Sequence, residues 1–163
     1  MSLLIPPDYA RVTDTGIYGF FGDYAFLSNF TPAYVRLWDD LKTYPSVENA
    51  YQAAKTFDME LRKPFLCCSP AESKKLGRKL QIRADWEDVK YSIMLHLVFQ
   101  KFHGNQTLQD KLVATDGKYL EETNHWGDNI WGVDHRGDIG KNWLGMILMD
   151  VRKCMKSITY TKK

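Results

Sequence analysis

A carboxylate, an amide and an amine are spaced along one predicted helix so that they share a face. The segment SVENAYQAAK, residues 46–55, holds Glu48, Gln52 and Lys55 at steps of four and three residues, which place side chains on one side of an α-helix. A carboxylate can do acid–base work, and a desolvated lysine can be a nucleophile. The structural alternative is that Glu48 complements the helix dipole and Lys55 is simply solvated. The spacing alone leaves both interpretations open.

A second candidate is the segment HWGDNIWGVDHRGDIG, residues 125–140, which is rich in Gly, Asp, His and Trp and has no regular periodicity. Long irregular loops in compact domains are usually functional. Asp128 is its candidate for charge chemistry, and Trp131 is its candidate for stacking or shielding. The alternative is a surface loop held in place by two buried tryptophans.

Two further segments could bind a phosphorylated sugar carrying a base. In residues 21–30, aromatic rings including Phe21 surround Ser28 and Asn29, and rings stack on bases while such polar groups bind ribose or phosphate. The alternative is an aromatic core segment with a turn at the asparagine. In residues 78–86, Arg78 and a second arginine near helix ends could hold phosphate, and Trp86 either stacks on a ring or anchors the next helix.

Common cofactor and metal motifs are missing from the sequence. The histidines and cysteines have no recognised zinc spacing, and there is no EF-hand, Walker A, GxGxxG or GxSxG pattern. We therefore expect no metal and no cofactor, and the commonest kinases, dehydrogenases and serine hydrolases are excluded.

The elements that must position these residues are helices and short strands. Residues 17–38 are predicted to form short strands, and the alternation of Val35 and Leu37 with Tyr34, Arg36 and Trp38 is that of a half-buried strand. A turn at Asp39 and Asp40 and a return over residues 41–43 would complete a hairpin. The predicted helices start at the cap Ser46, at a Ser69 capping box ending at Gly77, at Asp85 ending near Gly104, at Thr107, and at Asn142 ending near Ser157. Residues 118–123 are predicted to form a strand. The pattern predicts an α+β fold with several helices around a small antiparallel sheet.

Composition is that of an ordinary globular protein. The chain has 163 residues, a net charge of +2 and 44% hydrophobic residues, which fits one domain over residues 1–163. The charge is too small to indicate nucleic-acid or membrane affinity by itself. The sequence has no secretion signal pattern and no apolar run of membrane-spanning length, so we expect a cytoplasmic protein with no membrane partner.

Taken in order, these segments resemble the NADAR (YbiA-like) family over about residues 17–155. The matching text is FLSNF at 26–30, SVENAYQAAK at 46–55, LGRKLQIRADW at 76–86, Met94 with Lys101-Phe102, LEETNHWGDNIWG at 120–132 and GKNWLGMILMDVR at 140–152. Each segment is weak alone, but six in the right order are specific.

The resemblance implies a hydrolase that cleaves N-glycosidic bonds. Members are similar in removing ribose phosphate from amino-pyrimidine intermediates of riboflavin synthesis, or in releasing ADP-ribose from modified guanine in nucleic acid. By motif, Glu48, Trp86 and Asp128 match positions expected to act in catalysis, and Lys55 matches a lysine with a covalent role in the ADP-ribose-removing members. The segment HWGDNIWG departs from the family pattern, which has Ser or Pro nearer the aspartate, and this bears on substrate choice. The residues expected to contact substrate are Phe21, Ser28, Asn29, Tyr51, Gln52, Arg78, Trp131 and Asn142.

The resemblance allows two mechanisms, and two other functions compete with the enzyme. Glu48 and Asp128 would converge on one sugar, one stabilising an oxocarbenium-like transition state and the other activating water or the leaving group. Alternatively, Lys55 would attack the anomeric carbon and form a Schiff base. The partner is a ribose-phosphate or ADP-ribose compound, with modified nucleic acid as a second possibility. The rival function is a module that binds ADP-ribose or NAD without cleaving it, and behind it stands a scaffold protein that uses the Trp-rich loop as a contact surface.

Overall fold

A computed structural model describes residues 9–136 and 139–161, with the backbone alone for 159–161. In chain order the strands are β1 (Arg11–Val12), β2 (Gly16–Tyr18), β3 (Pro32–Val35), β4 (Tyr44–Ser46), β5 (Tyr119–Glu121), β6 (Thr123–Asn124) and β7 (Val133–Asp134). The α-helices are α1 (Val47–Ala53), α2 (Met59–Arg62), α3 (Pro70–Gly77), α4 (Trp86–His103), α5 (Gln106–Val113) and α6 (Trp143–Thr161). Two 3-10 helices cover Gly22–Leu27 and Lys63–Leu66.

The chain divides into two compact units, one formed by residues 29–106 and the other by the described parts of residues 1–28 and 107–163. Each unit has its own buried apolar residues. The predicted α+β class is confirmed, whereas the single domain over residues 1–163 stays a prediction.

In the unit of residues 29–106, helix α1 is the central element. The Ser46 hydroxyl accepts a hydrogen bond from the Asn49 amide at 3.1 Å and so forms the predicted N-cap. Helices α3 and α4 and strands β3 and β4 all pack against α1, and every residue from Val47 to Ala53 is buried. The apolar residues of α1 are therefore buried, and so are its polar residues Glu48 and Gln52.

The hairpin that precedes α1 pairs farther from its turn than predicted. Strand β3 is antiparallel to β4, with Pro32 opposite Ser46 and Val35 opposite Tyr44, so residues 36–43 lie outside the ladder. The reason is that the Gln100 side chain takes both backbone groups of Arg36, the N–H at 3.0 Å and the carbonyl at 2.8 Å. Val35 and Leu37 are nevertheless buried while Trp38 is exposed, as the alternation predicted.

A buried arginine fixes the loop of that hairpin to α2. Arg62 is 1% exposed, and its guanidinium donates to both carboxylate oxygens of Asp39, at 2.9 and 3.0 Å. Its Nε donates to the Thr56 carbonyl at 2.8 Å. Asp40 accepts a hydrogen bond from the Tyr44 hydroxyl at 2.6 Å. The two aspartates therefore form buried polar contacts in addition to making a turn.

Helices α3 and α4 agree with their sequence signals. The Ser69 capping box is present, with reciprocal hydrogen bonds to Glu72, and α3 ends at Gly77 as predicted. Helix α4 has Asp85 as N-cap residue and Gly104 as C-cap residue. Their positions matter because α3 and the start of α4 supply the remaining candidate site residues of this unit.

The other unit combines two small sheets with α5 and α6. Strands β1 and β2 are antiparallel, β2 and β5 are parallel, and β6 and β7 are parallel, so the described residues of the chain form three small sheets in place of one antiparallel sheet. Parallel partners are far apart in sequence, which is why local hairpin signals did not reveal them. Residues 22–27, predicted within a strand-rich segment, form a 3-10 helix instead.

Helix α6 begins one residue after the predicted start and packs on β5. Its buried apolar side chains repeat at helical spacing, as predicted, and they are Leu144, Ile147, Leu148, Val151 and Met155. Across residues 9–136 and 139–161, no helix combines the length and apolar character needed to cross a membrane.

Candidate active site

Glu48 lies in the first turn of α1 with its side chain inside the protein. It is 7% exposed, and its backbone N–H donates to the Asn29 carbonyl at 3.1 Å. Its carboxylate accepts a hydrogen bond from Gln52 Nε2 at 2.8 Å. A buried carboxylate near a helix N-terminus is stabilised by the helix dipole and by such donors. Glu48 therefore complements the helix dipole, as the structural alternative stated, and its carboxylate is also inside the protein.

Lys55 lies two residues past the end of α1, which stops at Ala53 and so is shorter than predicted, and it is half-buried beside two aromatic rings. Its amine is 5.9 Å from the ring centroids of both Tyr51 and Trp86, and these two rings are 5.0 Å apart with an interplanar angle of 54°. Both rings are 6% exposed. The structure thus brings together Glu48, Gln52, Lys55, Tyr51 and Trp86, which the sequence had placed in two separate motifs.

The pKa of Lys55 is lowered from its ordinary value. Burial of the amine is the largest cause; the negative charge of Glu48 opposes it, and the positive charges of Lys74 and Arg78 add to it. A lowered pKa increases the fraction of neutral amine at a given pH, and neutral amine is the nucleophilic form. The environment of Lys55 is the kind that activates a lysine.

Helix α3 contributes two cations near this lysine. Lys74 and Arg78 are four residues apart and therefore lie on one side of the helix, and both lower the pKa of Lys55 through their charge. Arg78 was predicted from the sequence, whereas Lys74 was missed. The four-residue spacing of Lys74 from Arg78 could have indicated that the two share a helix face. Lys75 and Lys79 have the same spacing, so the sequence alone could not single out Lys74.

Arg83, the second arginine considered for phosphate binding, is paired with a carboxylate of the protein. It donates to both carboxylate oxygens of Asp85, at 2.6 and 2.7 Å, and its guanidinium lies 3.9 Å from the Phe57 ring centroid. Its backbone N–H donates to the Lys55 carbonyl at 2.8 Å. Arg83 therefore supports the chain next to Lys55.

Asn29 is the remaining candidate in this unit. It is 8% exposed, and its amide nitrogen donates to Met94 Sδ at 3.3 Å. Its amide oxygen is buried with no hydrogen bond to any described residue. Because its backbone carbonyl holds the Glu48 N–H, Asn29 helps to place the start of α1, and its contact with substrate stays a prediction.

In the other unit, Asp128 organises its own loop. One carboxylate oxygen accepts hydrogen bonds from the backbone N–H groups of Ile130 at 3.1 Å and Trp131 at 2.9 Å. The Asn124 side chain holds the Asp128 backbone from the other direction. The Trp131 ring packs edge-to-face against Trp143 with centroids 5.6 Å apart. Asp128 therefore contacts the backbone of Trp131 and stabilises the loop. Its role in charge chemistry stays a prediction.

Phe21 and Ser28 flank the 3-10 helix Gly22–Leu27 as its N-cap and C-cap residues, and both are half-buried. Within the same unit, a cavity of about 360 Å³ is lined by residues that include Tyr24, Phe26 and Lys111. The joint action of Glu48 and Asp128 on one sugar stays a prediction, since the two residues belong to different units.

Comparison with known proteins gives the chain a family. The model of the NADAR domain matches residues 18–156. The chain belongs to the NADAR family.

Relatives of known name support this membership. The chain is 34% identical to the N-glycosidase YbiA of Escherichia coli over 135 residues, covering 80% of this chain and 81% of that protein. It is 36% identical to a riboflavin biosynthesis protein of Vibrio vulnificus over 134 residues, covering 80% of this chain but only 35% of that protein. The chain therefore spans about a third of the length of that relative.

A solved structure agrees with the sequence comparisons. The NMR structure of the E. coli protein YbiA has a TM-score of 0.77 and 30% sequence identity, and the match covers 92% of this chain and 90% of that chain. Several relatives are named N-glycosidases. The predicted family, fold and enzyme class, a hydrolase acting on N-glycosyl compounds, are confirmed.

Within this NADAR chain, Asn142 has a structural position. It has a left-handed backbone with φ of 50° and is 3% exposed. Its amide oxygen accepts from the Glu122 N–H at 3.1 Å, and its amide nitrogen donates to the Tyr119 hydroxyl at 3.0 Å and the Leu120 carbonyl at 2.9 Å. The side chain joins β5 to the start of α6, so its predicted contact with substrate has no observation in its favour.

We predict that Asn142→Ala lowers the free energy of unfolding by about 2–4 kcal/mol, because buried backbone groups lose their partners and alanine disfavours this φ. Urea unfolding measures the change. Asn142→Gly, which tolerates the backbone, should cost less, and the exposed control Asn129→Ala should change stability little. A stable Asn142→Ala variant with only a raised KM would instead make Asn142 a substrate contact.

Proposed function

We propose that this chain hydrolyses the bond between ribose phosphate and the amino group of a pyrimidine, as in riboflavin-pathway intermediates. The observation that carries the proposal is the buried Glu48 carboxylate, which accepts a hydrogen bond from Gln52 and whose charge acts on the half-buried Lys55 just past the end of α1. The names of the riboflavin biosynthesis relatives, from Vibrio vulnificus and Arabidopsis thaliana, support the substrate class. A net charge of only +2 favours a small molecule over nucleic acid.

A buried carboxylate suits the chemistry of this bond. Cleavage between the anomeric carbon and nitrogen builds positive charge on the sugar, and a carboxylate beside that carbon stabilises it. Water then adds to the anomeric carbon, and a proton passes to the departing nitrogen. Glu48 is 7% exposed, and its charge is less screened there than it would be in water.

The two α3 cations whose charges act on Lys55 suit a phosphorylated substrate. Lys74 and Arg78 lie on one side of α3, and their charges reach Lys55. Arg78 is exposed, so its guanidinium is accessible to a ligand, and a guanidinium binds phosphate through two parallel hydrogen bonds. Phosphate binding by these two residues would also offset their repulsion of Lys55.

Product analysis on a small panel of substrates tests the function. We expect mass spectrometry to detect free base and ribose 5-phosphate from a ribosylamino-pyrimidine phosphate, with slower or no release from ADP-ribosylated guanine. Faster release from the ADP-ribosylated guanine would overturn the substrate class. Binding of ADP-ribose or NAD with no base released from any compound would make the chain a non-catalytic binding module and refute the proposal.

Conservative changes at the two carboxylates test their roles. Glu48→Gln should fold normally and lower kcat by about 10²- to 10³-fold, the cost of removing one group that stabilises charge in the transition state. Asp128→Asn keeps an oxygen for the Ile130 and Trp131 N–H groups and should show a comparable loss if Asp128 is catalytic. Thermal melting checks folding, and Asp58→Asn, at the exposed N-cap of α2, is the control. Full activity in Glu48→Gln contradicts the proposal.

Borohydride trapping decides between direct hydrolysis and a covalent lysine. In the covalent route, neutral Lys55 attacks the anomeric carbon, the bond to nitrogen breaks, and ring opening gives a Schiff base that borohydride reduces to a stable amine. Because the pKa of Lys55 is lowered, mainly by burial, adduct yield should rise with pH and reach its maximum below the ordinary lysine pKa of about 10.4. Peptide mass spectrometry locates the adduct, with Lys63→Met as an active control. No adduct on Lys55 during turnover removes this route.

A further inference from the structure

Gln52 follows Glu48 by one turn on α1, and its amide is directed at the Glu48 carboxylate. Its side chain is 4% exposed, and its Nε2 donates to Glu48 Oε1 at 2.8 Å across one helical turn. The amide cannot turn over, since that would point its oxygen at a carboxylate oxygen. The orientation of Gln52 is therefore fixed by Glu48, and the orientation of Glu48 is in turn restrained by Gln52.

The opposite end of the amide lies against Gly77 on α3. A Cβ added at Gly77 would be 1.9 Å from Gln52 Oε1 and 2.8 Å from its Cδ, distances that no side chain can occupy. Gly77 is within a helix and has no positive φ, so its backbone conformation does not require glycine. Space for the Gln52 amide is the reason that this position has no side chain.

This packing leaves Gln52 Oε1 buried without a hydrogen bond to any described residue. Its neighbour is the CH₂ of Gly77, and a Cα–H group is only a weak donor. A buried acceptor without a strong partner is costly, and an apolar side chain of the same length would avoid that cost. The same replacement would take this donor away from the buried Glu48 carboxylate, so the hydrogen bond to Glu48 is what accounts for the amide.

We propose that Gln52 is a positioning residue that holds the Glu48 carboxylate in its reactive orientation, and that Gly77 is the space-making partner that allows it. The proposal rests on the catalytic role of Glu48 in the proposed function. It replaces the expectation, from the family resemblance, that Gln52 contacts substrate. A donor that fixes a buried carboxylate before reaction removes the reorganisation that the transition state would otherwise require.

A double-mutant cycle tests the pair. Gly77→Ala should displace the amide and lower kcat about 10- to 100-fold, the range for a lost hydrogen bond to a charged group, with KM little changed. Gln52→Ala should lower kcat by a similar factor. Because both changes remove the same hydrogen bond, Gly77→Ala should cost almost nothing more in the Gln52→Ala background.

Three kinetic results would overturn the proposal. An unchanged kcat in Gly77→Ala, or factors that multiply in the double variant, means that the two residues do not act through one hydrogen bond. A raised KM with unchanged kcat in Gln52→Ala means that Gln52 is a substrate contact after all. Ser73→Ala, at a buried position of the same α3 helix, is the control and should leave kcat and KM unchanged.

Two further measurements keep this proposal separate from the function. If Gly77→Ala does not fold, Gln52→Met carries the test, because it preserves length without a donor; it should lower kcat about 10- to 100-fold, and wild-type kcat would overturn the proposal. A crystal structure of Gly77→Ala tests the geometry without any activity: the Gln52 amide should leave Glu48, and an intact contact would refute the pair. Loss of the proposed function shows separately, as a wild-type protein that releases no base.

Discussion

The polar side of α1 is inside the protein, and most of the candidate site depends on that constraint. Glu48 and Gln52 are each less than a tenth exposed, and buried polar groups need partners that leave few alternative arrangements. Gln52 supplies a donor for Glu48, Gly77 makes room for Gln52, and the Asn29 carbonyl holds the Glu48 N–H. Each of these contacts follows from the burial of one helix face.

Several charged groups act on Lys55. The positive charges of Lys74 and Arg78 contribute to its lowered pKa, and the negative charge of Glu48 opposes them. Elsewhere in the same unit, Arg62 is paired with Asp39 and Arg83 with Asp85. These two pairs stabilise the scaffold, whereas the cations around Lys55 are suited to an anionic substrate.

Sequence reasoning identified the elements that have strong local signals. The cap at Ser46, the capping box at Ser69 and the Gly77 end of α3 are determined by residues within a few positions, and all are confirmed. The hairpin register was wrong because the distant Gln100 takes the backbone groups of Arg36. The parallel pairing of β2 with β5 likewise joins residues about a hundred positions apart, which no local pattern encodes.

The candidate site divides in the same way. Glu48, Lys55 and Trp86 were found from residue type, spacing and family resemblance, but the sequence could not show that Trp86 packs against Tyr51 beside Lys55. It also could not show that Arg83 is tied to Asp85, or that Asn142 uses its whole amide inside its own unit. Residue type and spacing indicate which side chains could take part in chemistry. Packing determines which of them are left to contact a substrate.

We expect the sugar to react at the buried face of α1. A crystal structure of the inactive Glu48→Gln variant with a ribosylamino-pyrimidine phosphate bound would show whether it does. The anomeric carbon should lie beside the side chain at position 48, with the phosphate against Lys74 and Arg78. Binding of the sugar phosphate only in the cavity lined by Tyr24, Phe26 and Lys111, with no contact to the side chain at position 48, would show that the reaction does not take place at α1.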